Sequence, residues 1–468
     1  MTPNIKNYSF SLILALMFLQ TTSWGIKRYV TPTGAGNFTG SSWANASNDL
    51  QATINNSAAS DEIRMKAGTY YPNSFPVGCT GCGVASGGNR NNTFSLKSDL
   101  RITGGFSGWE SEEWQRNIVT NKTILSGNLG IPAVYTDNAY HVVTNVNTVN
   151  VYLVELTIQD GYADGSSSIT VGGQTLYQVW GGGSLNINAR VSYLNCLLIN
   201  NRAESGGAIL NSAYSNIGIS NCVILENFAG GAGAVYCHNH SLASISNSTV
   251  VNNTATAAGG AFYVFGASTL RIYNSIVWSN TSPVFPAIAL NGGTSESYNA
   301  IVQGGTSPCT NCPNSNGNSN PLFLNLTNPR GNDGLMGTHD DGLNLRMLSP
   351  AINVGVGEIS YDFLHRHASG TIDLGAYEYM SPSDCITTSG AMVLKYVGES
   401  PIASGQYTSS NRILSEVGIP SGNSVQFWAE KSIELKPGFV ASANSSFEAK
   451  IIGSCAALTA FSSDTGLK

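Results

Sequence analysis

The chain has 468 residues, 52 of them Gly, and only 11% are charged, for a formal net charge of -6. Asn, Ser and Thr supply most of the polarity. Phosphate binding needs clustered Lys and Arg, so this balance excludes a nucleic-acid partner and a polybasic membrane contact.

Residues 1 to 25 read as a secretory signal peptide: Lys6 opens it, Phe10 to Leu19 forms the apolar run, and Ser23-Trp24-Gly25 offers a small-x-small cleavage site. That run falls short of the ~20 apolar residues a helical span needs. The mature chain is therefore expected to lack a transmembrane span and to be secreted or held at the outer cell surface as a monomer. A retained membrane anchor is the alternative.

From Ile26 to Pro72 the sequence predicts a strand (KRYVTP), a Gly-rich turn, a short helix between Ser42 and Ser57, and a second strand (DEIRMKAGTYYP). Such a unit caps a solenoid by covering its open strand edges. FSLKSDLRITGGF and NKTILSGNLG read as the first coils, HVVTNVNTVNVYLVELTIQDG continues them, and an insertion spans Tyr162 to Trp180. The phrases YLNCLLINN, ISNCVILEN, ISNSTVVNN and IYNSIVWSN then place Asn195, Asn221, Asn247 and Asn274 at spacings of 26, 26 and 27, with Asn299 25 further on. A period in the twenties with β-branched runs marks an all-β solenoid with one coil per repeat.

Two asparagine columns follow: Asn195, Asn221, Asn247, Asn274 and Asn299, and Asn201, Asn227, Asn253 and Asn280. Coils about 4.8 Å apart let identical amides bond along a stack and satisfy polar groups at tight bends, so both columns are read as structural rather than as the lining of a ligand groove. Leu198, Ile224 and Val250 face inward. Gly207-Ala208, Gly233-Ala234 and Gly260-Ala261 mark tight turns or close packing. Cys196 and Cys222 share a column with Ser248 and Ser275, which favours packed small side chains over a disulfide.

Nine cysteines in an exported chain make disulfides expected, and the odd count leaves one thiol free or paired to another molecule. Cys79/Cys82 and Cys309/Cys312 are CxxC pairs. Together they could hold zinc, but 227 positions separate Cys82 from Cys309, and local disulfides or loop clips are the favoured reading.

These segments resemble secreted right-handed parallel β-helix proteins of the pectate-lyase-like superfamily, in the form found in bacteria of the Bacteroidetes type. RYVTPTGAGNFTGSSWANASNDLQATINNSAASDEIRMKAGTYYP is similar to their N-terminal cap and RITGGFSGWESEEWQRN to their first coil. NPLFLNLTNPRGNDGLMGTHDDGLNLRMLSPAINVG with TIDLGAYEY resembles a choice-of-anchor closing segment. The stretch from Ser389 to Cys455 is similar to a C-terminal coathanger-stack β module, which Cys385 and Cys455 would bracket and close. The resemblance implies a signal peptide (1 to 25), a right-handed parallel β-helix with cap and closing segment (26 to 380) and a small C-terminal β module (381 to 468). It leaves the activity open, because this fold carries lyases, hydrolases and adhesins.

Lyases on this fold need a cation held by several carboxylates with an Arg or Lys base, and hydrolases need two or three carboxylates. Between Ser166 and Asn332 there is no Asp or Lys, only Glu204, Glu226, Glu296, Arg190, Arg202, Arg271 and Arg330. The candidate catalytic group is Asp160, Asp164, Arg190, Arg202 and Glu204 around the insertion, against the reading that Asp160 is a bend residue and Asp164 a solvated loop residue. His238 and His240 read as an exposed loop pair rather than a metal site. Asp333, Asp340 and Asp341 in GNDGLMGTHDDGL suit a structural calcium ion or an ion-free turn. Asp362, Arg366, Asp373 and Glu378 read as ion pairs tying down the end of the helix.

No cofactor motif is visible. Tyr177, Trp180, Tyr214, Tyr236, Phe262, Tyr263, Phe265 and Trp278 recur along the coils, and rings beside amides suit sugar faces and hydroxyls. The sequence therefore points first to a non-catalytic, adhesin-like protein that binds a polysaccharide or cell-surface glycan. The alternatives are a polysaccharide lyase or glycoside hydrolase near the insertion, and a structural envelope protein.

Overall fold

In each regular coil the chain makes four short strands joined by sharp bends, as in Ser184–Ile187, Arg190–Leu194, Leu197–Ile199 and Arg202–Ser205, and begins again at Ile209–Ser212. Each strand pairs in parallel with its counterpart one coil away. The structure is a computed structural model that describes residues 25–304 and 318–379, apart from 85, 133, 347, 358, 360 and 367–370, and parts of 405–451. Stacking generates a nine-stranded sheet (through Arg190–Leu194), an eight-stranded sheet (through Leu197–Ile199), a four-stranded sheet (through Arg202–Ser205) and a seven-stranded sheet (through Ile209–Ser212). The protein is an all-β parallel β-helix. All but Gly25 of the expected signal peptide, and Cys309, Cys312, Cys385 and Cys455, lie outside the described residues.

The cap differs in detail from its expectation. Instead of one helical stretch, Trp43–Asn45 forms a single 3-10 turn and Leu50–Asn56 a helix. Asp49 caps the helix by accepting from the Ala52 N–H at 2.8 Å. The helix begins late because the Asp49 carboxylate satisfies an amide that has no partner within it.

Four bends organise each coil, and two need a left-handed residue. Asn195, Asn221, Asn247, Asn274 and Asn299 all have φ between 45 and 56°, a region that Asn tolerates better than most residues. Asn200, Glu226, Asn252 and Ser279 are left-handed too, at φ between 54 and 58°, and Asp160 joins that second column at φ 62°. The buried ladder stands one residue later. Asn201, Asn227 and Asn253 each donate an amide N–H to the next asparagine's Oδ1 at 3.1, 2.9 and 3.0 Å, and to carbonyls of their own and the preceding coil. Gly207 closes the coil: a Cβ there would meet the Gly233 carbonyl at 2.5 Å, so only Gly allows the coils to approach.

Cys196 and Cys222 are free and buried. The Cys196 N–H donates to Cys222 Sγ at 3.2 Å, as Cys222 and Ser248 N–H groups donate to the Ser248 and Ser275 hydroxyls. The small polar side chain in this column thus accepts a backbone N–H from the neighbouring coil.

The chain divides into two compact units, one comprising residues up to Leu322 with Leu348–Glu378, the other Phe323–Met347 with Tyr379 onward. In the second, Gly405–Ser409, Ser424–Ala429 and Ser446–Ile451 form a parallel sheet, and Arg412–Ser415 pairs in parallel with Ser432–Leu435. In the first, residues 353–357 and 361–366 form a strap along the Asn195 column. Asn195, Asn221, Asn274 and Asn299 donate to the Phe363, Tyr361, Val356 and Val354 carbonyls, and Glu155, which occupies the column one coil earlier, meets His365 Nε2 at 2.7 Å. This column therefore serves the strap as well as its own stack, where Asn221 donates to Asn195 at 2.7 Å.

Candidate functional site

Alternate residues of a strand face opposite sides. In the seven-stranded sheet Ile209, Val235, Phe262 and Ile288 face the core. Leu185, Leu210, Tyr236, Tyr263 and Ala289 therefore share an outer row. Ser212, His238 and Phe265 stand in the next one: Ser212 Oγ bonds His238 Nδ1 at 3.0 Å, and the His238 ring stacks on Phe265 with centroids 5.4 Å apart.

The insertion covers one end of this face. Tyr162–Ala163 belongs to the coil, pairing with Arg202–Ala203, so the inserted part begins at Asp164. Ser168–Val171 and Gln174–Tyr177 form an antiparallel hairpin through Gly172 and Gly173, both at positive φ, as a two-residue hairpin turn of this hand requires. Ile169, Val171 and Leu176 bury Leu185, Ile187 and Leu210. The Cys79–Cys82 disulfide closes a loop that fixes the hairpin, since Thr80 exchanges backbone hydrogen bonds with Thr170 at 2.8 and 2.9 Å.

Where the hairpin ends, a row of rings begins. Tyr177 and Trp180 lie 4.4 Å apart, Trp180 and His238 5.5 Å, and Tyr236 and Tyr263 5.0 Å, with Tyr236 6.2 Å from His238. Tyr177 is 43% exposed and the others are half-buried. The Tyr263 and Tyr236 rings pack beside Gly231, where a Cβ would meet them at ordinary contact distances of 3.4 and 3.5 Å. Burial pulls His238 below the ordinary histidine range, leaving it neutral at pH 7, and pushes Tyr236 up to about 12, helped by Tyr263. Asn291 donates to the Tyr263 hydroxyl at 3.3 Å. The strip thus offers flat apolar faces edged by neutral hydrogen-bonding groups.

The five carboxylate and arginine candidates are dispersed. Arg90 holds Asp164 at 2.5 Å. Asp160 accepts from Ser126 Oγ at 3.0 Å and Gln159 Nε2 at 2.7 Å, and burial raises its pKa. The Arg202 guanidinium lies over Tyr135 at 4.1 Å and Phe228 at 5.6 Å. Glu204 is exposed on the strand of Arg202, while exposed Arg190 opens a strand of the nine-stranded sheet. In the acidic loop, Asp340 accepts from the Asn332 and Asp333 N–H groups and Thr338 Oγ1, Asp341 from the Gly337 and Thr338 N–H groups, and Asp333 from the Leu335 N–H. These carboxylates are turned to the loop's own donors, and among the described residues no three His, Cys, Asp or Glu converge as metal ligands.

His240 is exposed and stacks on Tyr214 at 5.0 Å, whereas His238 belongs to the strip. Of the recurring aromatics, Phe262 fills the core and Trp278 lies on the eight-stranded sheet. Asp362 and Arg366 form a buried pair at 2.6 Å. Glu378 is not paired by Arg366 alone: burial first, then Asp373 and Asp362, raise it to about 7. Sequence reading missed Arg90, Tyr135 and Phe228 as partners of the candidates, because they come from distant segments. Glu155 was accessible, since VELTIQD aligns with LNCLLIN.

No family model and no curated protein matches this chain. Among solved structures, that of pectate lyase Pel9A is similar over 76% of this chain and 96% of that one, with 14% identity and a TM-score of 0.30. A likeness of that size carries no functional argument, and the functional reading rests on the site itself.

Proposed function

We propose that the chain is an exported, non-catalytic β-helix protein that binds glycan through the ring strip on the seven-stranded sheet, in the manner of an adhesin. The observation that carries this reading is the run of contacting rings from Tyr177 through Trp180 and His238 to Phe265, half-exposed at the end of the hairpin. Aromatic rings take up the apolar faces of sugars, and the Ser, Asn and Tyr groups around them suit hydroxyls. The leader-like first 25 residues support export. The resemblance of the closing segment and terminal module to those of Bacteroidetes-type surface proteins supports display at the cell surface.

A polysaccharide lyase or hydrolase is the second reading, and the raised pKa of half-buried Asp160 favours it, because a carboxyl poised upward suits general acid chemistry. Affinity electrophoresis of residues 26 to 468 through gels containing plant, algal and host polysaccharides separates the two. The proposal expects retardation that Trp180→Ala abolishes, with no release of unsaturated or reducing ends. Release of ends that is lost in Asp160→Asn would overturn it.

A further inference from the structure

Among the described residues, the coils and hairpin that carry the rings contribute no Lys or Arg to the strip, and the nearby Arg90 is held by Asp164 at 2.5 Å. Between Ser166 and Asn332 the only basic side chains besides histidine are four arginines. Arg190 and Arg271 belong to the nine-stranded sheet, beyond the bend that ends each strip strand, and Arg271 is held by Glu296 at 2.9 Å. Arg202 is occupied by the Tyr135 and Phe228 rings, and Arg330 lies outside the β-helix unit. His238 is the titratable base within the strip, and burial keeps it uncharged. Exposed Glu204 adjoins Ser205, which bridges to Trp180. The chain as a whole carries -6, which repels polyanions at long range.

A uronate polymer carries one carboxylate per sugar, and its recognition needs guanidinium or ammonium partners. The strip supplies none, and its apolar surroundings would strip water from each carboxylate without compensation. It does supply one ring level per coil, at a rise of about 4.8 Å, comparable to the length of one pyranose in an extended chain. Tyr236 and Tyr263 occupy successive levels of one row, and His238 and Phe265 successive levels of the next.

Resting on the glycan-binding reading above, we infer that the ligand is an uncharged polysaccharide laid along the helix axis, and that the strip discriminates against acidic glycans.

The experiment uses residues 26 to 468 and matched polymers that share a backbone and differ in charge: hydroxyethyl cellulose with carboxymethyl cellulose, and galactan with polygalacturonate and its carboxyl-reduced form. Retardation is read at 20 mM and 500 mM NaCl. The inference expects neutral members to retard the protein at both salt concentrations with less than about a twofold change, and acidic members to retard it at least tenfold less. Trp180→Ala and the gentler Phe265→Leu, each checked to melt within a few degrees of wild type, should both weaken retardation at least about tenfold. Stronger binding of an acidic member, abolished by high salt and by either variant, overturns the inference while leaving glycan binding at the strip intact. Failure of every polymer to retard the protein overturns the glycan reading and the inference with it.

Discussion

Two outer faces of this β-helix are apolar, and the chain treats them differently. In the middle of the eight-stranded sheet the outer positions Leu197, Ile199, Val223, Leu225 and Val251 are buried. The closing segment runs over this region, with the Ala376 N–H donating to Thr249 Oγ1 and Gly375 set against Ile276. On the seven-stranded sheet the hairpin covers Leu185, Ile187 and Leu210 and packs against Trp180 and Tyr236, while His238, Tyr263 and Phe265 stay half-exposed. Aliphatic surface gains about 25 cal/mol per Å² on burial and has no polar edge to lose. Tyr and His keep a wet edge, so a face built from them can stay exposed and still offer binding energy. Covering by the chain itself serves structure, whereas half-exposed rings leave a face on which the proposed binding can act.

The largest expected effect breaks the covered face. Asp362→Ala leaves Arg366 as a buried charge without this partner and removes the acceptor for the Leu364, Arg366 and Glu378 N–H groups. It should destabilise the protein by about 3–5 kcal/mol in denaturant melts. Asn253→Ala interrupts the ladder that both faces depend on, orphaning the Ile224 and Val251 carbonyls, and should cost about 2–3 kcal/mol. Trp180→Ala should weaken glycan retention by about 2 kcal/mol, some 30-fold, while moving the midpoint by only a few degrees. A variant that unfolds before it loses binding would mean that the strip is structural cover after all.

The strap should also respond to pH. Glu378 titrates near 4.5 when unfolded and about 7 when folded, so the folded state holds its proton more tightly. Its stabilising contribution is complete below about pH 4.5 and is lost as pH rises through about 7. Glu378→Gln, which mimics the protonated acid, should match wild type at pH 5 and melt about 3–6 °C higher at pH 8. Equal midpoints at both pH values would remove Glu378 from the account. The smallest expected effect is that of a chelator: with Asp340 and Asp341 satisfied by loop N–H groups, EDTA should leave the midpoint unchanged, and a drop of several degrees would place an ion in that loop.

The repeat and its buried ladder were legible because a stacked amide needs the same residue in every coil, which puts Asn201, Asn227, Asn253 and Asn280 into the sequence at a fixed period. The strip was half legible. Its rings were visible, but separating Tyr263 from Phe262 requires knowing where each bend resets the in-and-out alternation. The strap was hidden, because Val354, Val356, Tyr361 and Phe363 meet the Asn column through backbone carbonyls that any residue supplies. The grouping of Asp160, Asp164, Arg190 and Arg202 drew on nearness in sequence, whereas the bends send Arg190 to another sheet and Arg90, 74 positions away, takes Asp164.

Amide hydrogen-exchange footprinting of residues 26 to 468, with and without a polysaccharide that retards the protein, tests the central claim most directly. The account predicts that protection rises in Val235–Cys237, Phe262–Phe265 and the end of the hairpin at Tyr177, while the nine-stranded face through Arg190–Leu194 and Thr269–Tyr273 is unchanged. Protection confined to the nine-stranded face, or to the surroundings of Asp160, would contradict it.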